Sequence, residues 1–171
     1  EKNLAILIKA FEKVGKLRPR AKLLFVGDFE YRKKLEEMAA ASKFGDRIVF
    51  TGALPREELG VVYAALDVFV FPSLKDTQGW VLHEAAHAGL PIVLIDKDLS
   101  EVVIDGENGY LARNNATDVA RKVTALLRSP SLRAKFGEQS KMLARNYSEK
   151  GQAKKLIASY KQIIATKTNE S

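Results

Sequence analysis

The sequence predicts an α/β fold of the Rossmann-like, doubly wound kind, in which a parallel sheet lies between two layers of helices. Short apolar segments alternate with amphipathic helical segments along most of the 171 residues. The apolar segments are continuous rather than alternating in polarity, which is typical of strands buried on both faces. No internal repeat or low-complexity linker interrupts this pattern, so we predict one domain over residues 1–171.

Each element follows from the spacing of apolar residues and from the glycines and prolines that end it. A first helix is predicted as far as Gly15, because apolar residues recur on one of its faces and Pro19 follows it. The other predicted elements are strands at 22–27, 47–52, 67–73 and 91–95, helices at 30–44, 55–66 and about 79–88, three helices within 116–168, and a turn at 105–109.

The composition excludes several kinds of site. The chain has no cysteine, so it can form no disulfide and can supply neither a thiolate nucleophile nor a cysteine zinc site. No apolar run reaches the length of a membrane-spanning helix. The sequence shows neither an initiator methionine nor a signal-peptide pattern at Glu1, and we therefore expect a piece of a longer protein.

The charge is strongly positive, with 28 lysines and arginines against 21 acidic residues and a net charge of +7. The basic residues cluster at 9–22 and 128–161, mostly at helical spacing between apolar residues, which is typical of solvated helix faces. The alternative is attraction to anionic phospholipid headgroups or to a phosphorylated ligand. We expect no nucleic acid, because the sequence shows no recognition motif and no aromatic residues interleaved with the basic ones.

Ligands of such folds bind at the carboxyl ends of the parallel strands, where loops lead into helix N-termini. Four loops are predicted at this edge: 27–30 (GDFE), 51–58 (TGALPREE), 72–79 (PSLKDTQG) and the turn at 95–100. All four carry polar residues and three contain glycine. We therefore expect the functional site there.

The segment 71–91 contains two carboxylates on either side of a glycine. Gly79 lies near a helix start and has no side chain, so the N–H groups of residues 79–81 can approach an anion such as phosphate. Asp76 and Glu84 cannot both face that anion, because like charges repel. They suit hydroxyl groups on either side of it, such as those of a ribose and a hexose. The alternative is structural, with Asp76 capping a helix and Glu84 pairing with a surface lysine.

Residues 83–87, HEAAH, match the H-E-x-x-H pattern of zinc peptidases. A catalytic zinc needs a third ligand, and since the chain has only two histidines, that ligand would have to be a carboxylate. The helix is also predicted to end directly after His87, at Gly89. We therefore expect His83 and His87 to be packed or half-exposed on a short helix, without a metal.

Several motifs in the chain resemble one family. The stretch FPSLKDTQGWVLHEAAHAGLP, with Pro72-Ser73, Asp76, Gly79, Glu84-Ala85 and Gly89, resembles the donor-binding loop of the retaining GT-B fold glycosyltransferases called group 1. The segments EKN, LLFVGD, IVFTGALPREEL, YAALDVFVFPS and DGENGYL are similar to its successive landmarks. The similarity covers nearly the whole chain and is more specific than five letters of a zinc pattern. It implies the C-terminal, nucleotide-sugar-binding half of a GT-B fold.

The resemblance also implies roles for individual residues. Asp76 would hold sugar hydroxyls of the donor, Glu84 would bind the ribose, and Lys2 would neutralise the leaving diphosphate, so that no metal or other cofactor is expected. Because the family retains anomeric configuration, Asp76 is a positioning carboxylate rather than a general base. The further donor-binding residues implied are Gly27, Leu54, Thr77, Gln78, Gly79, Trp80 and Val81.

The chain departs from the family pattern at three points. Asp76 stands where a glutamate is usual, which shifts geometry more than role. Phe29 stands where a second glycine often follows the first strand, which makes close approach of the nucleotide at that position uncertain. The strand that normally precedes EKN and the N-terminal acceptor domain are absent from this sequence, so we expect donor binding but no turnover.

The resemblance implies a nucleotide sugar, UDP- or GDP-linked, as donor and a lipid or polysaccharide as acceptor. It suggests a cytoplasmic enzyme, at the inner face of an anionic membrane where the acceptor is a lipid. A glycosidase that uses Asp76 and Glu84, or a non-catalytic sensor with the same pocket, are alternatives from other classes. Trp80 either lines the pocket or anchors the core, and an amphipathic helix around residues 156–164 is predicted to pack.

Overall fold

The computed structural model describes residues 2–75 and 79–147, without the side chains of residues 99–101. Helices and strands alternate over this range, as predicted. The helices are α1 (Ala5–Leu17), α2 (Arg32–Ala40), α3 (Arg56–Ala65), α4 (Trp80–His87), α5 (Ala116–Arg128) and α6 (Pro130–Asn146). The strands are β1 (Leu23–Phe25), β2 (Ile48–Phe50), β3 (Phe69–Phe71), β4 (Ile92–Leu94) and β5 (Gly109–Leu111), with 3-10 turns at Gly45–Arg47 and Lys97–Val102.

All strand pairs are parallel, which confirms the predicted α/β class. Within the described residues they form two sheets rather than one, with orders β1-β2 and β3-β4-β5. The helices cover two sides: α1 packs against α2 and α5, whereas α4 packs against α6. This arrangement of crossover helices on both sides is what a doubly wound parallel fold requires.

The apolar core has two parts that follow the two helical layers. The larger part joins α1, α2 and α5 to β1, and it includes Ile8, Phe11 and Phe25. The smaller part joins α4 to the three-stranded sheet through Leu82, Leu94 and their neighbours. All three residues of β4 are inaccessible to solvent, which explains their unbroken apolar sequence.

A buried polar network attaches α6 to the strands beneath it. The side chain of Asn108, fully buried, donates to the carbonyl oxygen of Val102 (2.8 Å) and to Oγ of Ser140 (3.2 Å). Its own Oδ1 accepts from the N–H of Ile104 at 2.8 Å. Ser140 in turn donates to the carbonyl of Leu90 at 2.7 Å. The turn predicted from DGENG therefore has a buried asparagine whose polar atoms are satisfied.

The structure differs from the predicted elements at two points: the helix expected at 30–44 is shorter, and strand β5 follows the turn at 105–109, where no strand was expected. The helix expected at 30–44 ends at Ala40, because the chain turns back at once and brings Gly45 against the carbonyl of Ala39, where a Cβ would approach within 2.4 Å. Two of the three helices expected within 116–168 are observed as α5 and α6, and the packing helix around residues 156–164 lies outside the described residues.

The outer edges of both sheets have no strand beside them in the described chain, and two of these edges belong to β1 and β3. Phe25 accepts from the N–H of Thr51, so the backbone groups of Leu24 point away from β2. Phe69 donates to Pro91 and Phe71 accepts from Ile95, so the backbone groups of Val70 point away from β4. Both edges belong to strands that contribute to the larger core.

These edges predict a difference in amide hydrogen exchange. The amides of Leu24 and Val70 should exchange on the order of tenfold faster or more than those of Phe25 and Val93, because only the latter point toward a paired strand. Exchange monitored by NMR measures this directly. Equal protection of all four amides would contradict the open edges.

Candidate functional site

The carboxyl ends of the strands lie at one edge, as the parallel pairing requires. Strand β1 leads to Gly27, β2 to Gly52, and β3 to the buried pair Pro72 and Ser73. The hydroxyl of Ser73 donates to the carbonyl of Lys75 at 2.9 Å, which holds the loop after β3 in a tight turn. The predicted residues Asp76, Thr77 and Gln78 lie outside the described residues.

Helix α4 begins where the sequence predicted it. Gly79 is its N-terminal cap, with φ 51° and ψ 35°, a left-handed conformation that glycine adopts without steric cost. The side chains that follow point outward: Trp80 is 67% exposed and Val81 37% exposed. The interpretation of Trp80 as a core anchor is therefore wrong, and the residue lies at the surface beside Gly79.

Glu84 lies on the second turn of α4 and is exposed. Its Oε2 accepts a hydrogen bond of 2.8 Å from the hydroxyl of Tyr63 on α3. No described residue forms an ion pair with Glu84, so the expected alternative, a surface lysine partner, is not observed. The carboxylate is thus held by a neutral donor and faces solvent.

Tyr63 is half-buried, and its ring lies 6.0 Å from that of Phe69 on β3. Burial, together with the hydrogen bond to Glu84 and the charge of that carboxylate, raises the pKa of the Tyr63 hydroxyl well above its usual value. The phenol therefore stays protonated and donates throughout the physiological range. Packing on one side and a hydrogen bond on the other fix its ring between the two helices.

Gly27 and Leu54 follow β1 and β2 at the same edge. Gly27 has φ 104°, and its N–H donates to the carbonyl of Gly52 at 2.9 Å. A Cβ added at Gly27 would meet no atom within 4 Å, so the space above this backbone is open to a ligand. Leu54 is half-buried and directly precedes Pro55, the residue before α3.

The segment with Lys2 lies beside the end of β3. The side chain of Asn3 donates to the carbonyl of Pro72 (3.2 Å) and to Oδ1 of Asn114 (3.0 Å), which ties the start of α1 to the loops after β3 and β5. Lys2 is exposed and, with Phe29 and Tyr31, lines a cavity of about 530 Å³. Phe29 also contacts Phe25, with ring centroids 6.4 Å apart, and so occupies room that a glycine would leave open.

The two histidines of HEAAH occupy different surroundings. The ring of His83 lies 5.9 Å from that of Trp80 and 5.7 Å from that of Tyr147, whereas His87 is exposed. Among the described residues there is no group of three or more His, Asp or Glu side chains that could hold a metal ion. The expectation of a packed or half-exposed side chain is confirmed for His83, whereas His87 is more exposed than expected.

Two residues of this edge were not predicted from the sequence. Tyr63 supports Glu84 from another helix, and Asn3 joins three segments beside Lys2. Asn3 has a left-handed φ of 52°, which asparagine tolerates better than most residues, and this conformation is a signal that only the structure reveals.

The family described as glycosyl transferases group 1 matches residues 1–142. The sulfoquinovosyl transferase SQD2 of Arabidopsis thaliana is 32% identical over 152 residues, which are 86% of this chain and 28% of that protein. The alpha-monoglucosyldiacylglycerol synthase of Acholeplasma laidlawii is 25% identical over 165 residues, 96% of this chain and 41% of that protein. The chain belongs to the group 1 glycosyltransferase family.

The fold agrees with this assignment. The crystal structure of an S. aureus TarM mutant in complex with Fondaparinux, alpha-GlcNAc-glycerol and UDP superposes with a TM-score of 0.83 at 24% identity, over 92% of this chain and 32% of that one. This likeness shows the Rossmann-like half of a GT-B fold. The chain spans less than half the length of these relatives. Within the described residues, no helix has the length and hydropathy needed to cross a bilayer.

The Tyr63–Glu84 hydrogen bond predicts an unusual alkaline titration. One of the five tyrosines should remain protonated above pH 10.0, the ordinary pKa, and the Tyr63→Phe variant should lose this late-titrating group. Because the folded state raises this pKa, its contribution to the free energy of unfolding is complete below the ordinary pKa and is lost as pH rises through the raised one.

Ultraviolet difference titration of the wild type, Tyr63→Phe and Glu84→Gln measures the effect. Glu84→Gln keeps an acceptor but removes the charge, so it should lower the pKa of Tyr63 partway toward its usual value. The titration curves of the wild type and Tyr63→Phe differ by the ionisation of Tyr63 alone. If that difference shows a phenol that ionises near pH 10.0, the hydrogen bond to Glu84 does not exist in solution.

Proposed function

We propose that the chain is the donor-binding domain of a retaining glycosyltransferase that transfers a hexose from a UDP- or GDP-linked sugar to a lipid or glycan acceptor. The observation that carries this proposal is the exposed carboxylate of Glu84, which is oriented by Tyr63 and lies within two helical turns of the backbone of Gly79. A carboxylate held in this way has acceptor capacity left for two vicinal hydroxyls, such as those of a ribose.

Residues around Glu84 supply the other parts of a nucleotide-sugar site. The exposed ring of Trp80 and the open backbone at Gly27 offer surfaces for the sugar or the nucleotide. Asp76, Thr77 and Gln78 precede Gly79 in the sequence and would bind the sugar and the diphosphate. Leu54 lies at the same edge, where its backbone would meet the base, and Val81 follows Trp80 on α4.

The proposed chemistry needs stabilisation of a departing diphosphate and of an oxocarbenium-like sugar. Backbone N–H dipoles near Gly79 and the ammonium of Lys2 would stabilise the diphosphate, so no metal or other cofactor is needed. In a retaining transfer the acceptor attacks on the side of the leaving group. Asp76 then positions sugar hydroxyls rather than removing a proton from the acceptor.

The longer protein would complete the enzyme. We propose that it supplies a parallel strand between the open edges of β1 and β3, and a second domain that binds the acceptor. Support comes from the unpaired backbone edges at Leu24 and Val70 and from relatives of more than twice this length. A cytoplasmic site of action, in contact with an anionic membrane, accords with relatives named for glycolipid products.

The test is nucleotide binding by variants of the ribose-binding carboxylate. Glu84→Ala should weaken binding of the nucleotide sugar on the order of 10- to 100-fold, because charge-assisted hydrogen bonds contribute about 1.5–3 kcal/mol. Glu37→Ala on α2, also an exposed glutamate but outside the four loops of the site edge, is the matched control and should bind normally. Calorimetry with UDP, GDP, ADP and their sugar conjugates measures the affinities and identifies the base.

An affinity of Glu84→Ala equal to that of the wild type would eliminate the ribose assignment. A non-catalytic sensor would show the same binding, and only transfer by the longer protein, with the acceptor domain present, separates it from an enzyme.

The zinc interpretation is tested by the double variant His83→Ala/His87→Ala. Nucleotide-sugar binding should remain within about twofold of the wild type, since neither ring is assigned to the donor. Metal content by mass spectrometry, measured on the same samples, should show no stoichiometric zinc in either protein. Bound zinc in the wild type that disappears with activity in the double variant would reinstate the peptidase hypothesis.

A further inference from the structure

One side of the domain carries an unusual concentration of exposed basic residues. Its members come from the outward side of α1, from the turn after that helix and from the end of α5, and we call them the basic face. They are Lys9, Lys13, Lys16, Arg20, Lys22 and Arg128, and all six are exposed. The guanidinium of Arg18 donates to the carbonyl of Leu127, which holds the ends of α1 and α5 side by side.

The charges of the basic face have no acidic partners among the described residues. Elsewhere in this part of the chain some basic side chains are paired, such as Arg32 with Glu36 and Arg133 with Asp67, whereas several other exposed lysines and arginines are not. None of the six members forms such a pair. The one acidic residue on the outward side of α1 is Glu12. The six cations of the basic face outnumber this single carboxylate, so the face attracts an anionic partner.

An apolar side chain lies within this charged surface. Leu17, the last residue of α1, is 61% exposed and is followed closely by Arg20 and Lys22. Lysine stems are themselves apolar, with the charge at the tip. An exposed leucine surrounded by cations matches the two layers of a membrane interface, in which anionic headgroups overlie acyl chains. A purely ionic partner would make no apolar contact with Leu17.

The basic face lies on a different side of the domain from Glu84. Helices α1 and α5 both begin at the site edge, where Asn3 contacts Asn114, and both run away from it. The face therefore lies alongside the sheet, roughly perpendicular to the site edge. Glu84 projects from α4, in the helical layer that contains α6, so a bilayer in contact with the basic face does not cover it.

We infer that the basic face binds the surface of an anionic lipid bilayer and that Leu17 inserts among the headgroups. This inference deepens the proposed function, on which the assignment of a lipid acceptor rests. It gives the donor domain its own membrane contact, which leaves the carboxylate of Glu84 uncovered.

The experiment is sedimentation of the purified chain with vesicles of phosphatidylcholine, with and without phosphatidylglycerol. The wild type should bind only the anionic vesicles, and raising the salt concentration should release it. The triple variant Lys9→Gln/Lys13→Gln/Lys16→Gln should bind on the order of 100-fold more weakly, about fivefold for each charge removed. Leu17→Ser should bind more weakly at every salt concentration, with an unchanged salt dependence.

The control changes the net charge equally at another place. Ala134→Glu/Lys135→Glu alters two exposed residues of α6, removes the same three units of positive charge and should retain most of the vesicle binding. Circular dichroism melts establish that all variants fold. Equal loss in the control and the triple variant would overturn the proposal, because net charge rather than the basic face would then be responsible.

Two further outcomes would also overturn it: binding to neutral vesicles as strong as to anionic ones, or binding to polyglutamate or DNA but not to vesicles. The nucleotide-sugar affinity of the same variants, measured without lipid, distinguishes the proposal of a donor site from the proposal of a membrane-binding face. Vesicle binding without any nucleotide binding would refute the donor site and support the membrane-binding role of the basic face. Nucleotide binding without any vesicle binding would refute the membrane-binding role and support the donor site.

Discussion

The position of β4 between β3 and β5 is the constraint on which most of this structure depends. Its residues Ile92, Val93 and Leu94 have no solvent exposure, and both of its edges are paired. Parallel neighbours cannot be joined by a tight turn, so the chain must cross over a face of the sheet between them. The crossover between β3 and β4 is α4, and its first turn therefore lies at the carboxyl edge of the sheet.

Glu84 reaches its place through this same crossover. Leu82, Ala85 and Ala86 bury one side of α4 against the sheet, and Glu84 projects from the opposite side. A free carboxylate at that position would be mobile, but Tyr63 on α3 holds one of its oxygens. One hydrogen bond thus joins α3 and α4, the helices of two successive crossovers. Tyr63 itself packs on Phe69 of β3. The sheet therefore fixes the position of Tyr63, and Tyr63 fixes the orientation of Glu84.

The sequence predicts those features that depend on local spacing, and it does so well here. Continuous apolar strands predict parallel pairing, and Gly79 and Gly89 predict where α4 begins and ends. Contacts between distant segments could not be predicted in this way. The bond from Tyr63 to Glu84 joins residues on different helices, and the exposure of Trp80 depends on what packs over the helix start. The division of the strands into two sheets depends on backbone partners, which side-chain periodicity does not encode.

The HEAAH segment illustrates why five letters do not define a site. Successive residues of a helix are about 100° apart, so His83 and His87 lie on one flank of α4 while Glu84 lies on the side farthest from the sheet. The flank with His83 is covered by the ring of Tyr147, and Glu84 faces Tyr63. A zinc ion bound by the histidines would need a third ligand on that flank, where the described residues offer an aromatic ring. The same glutamate that would polarise a zinc-bound water in a peptidase is therefore oriented, by the fold around it, toward the edge where a nucleotide sugar would bind.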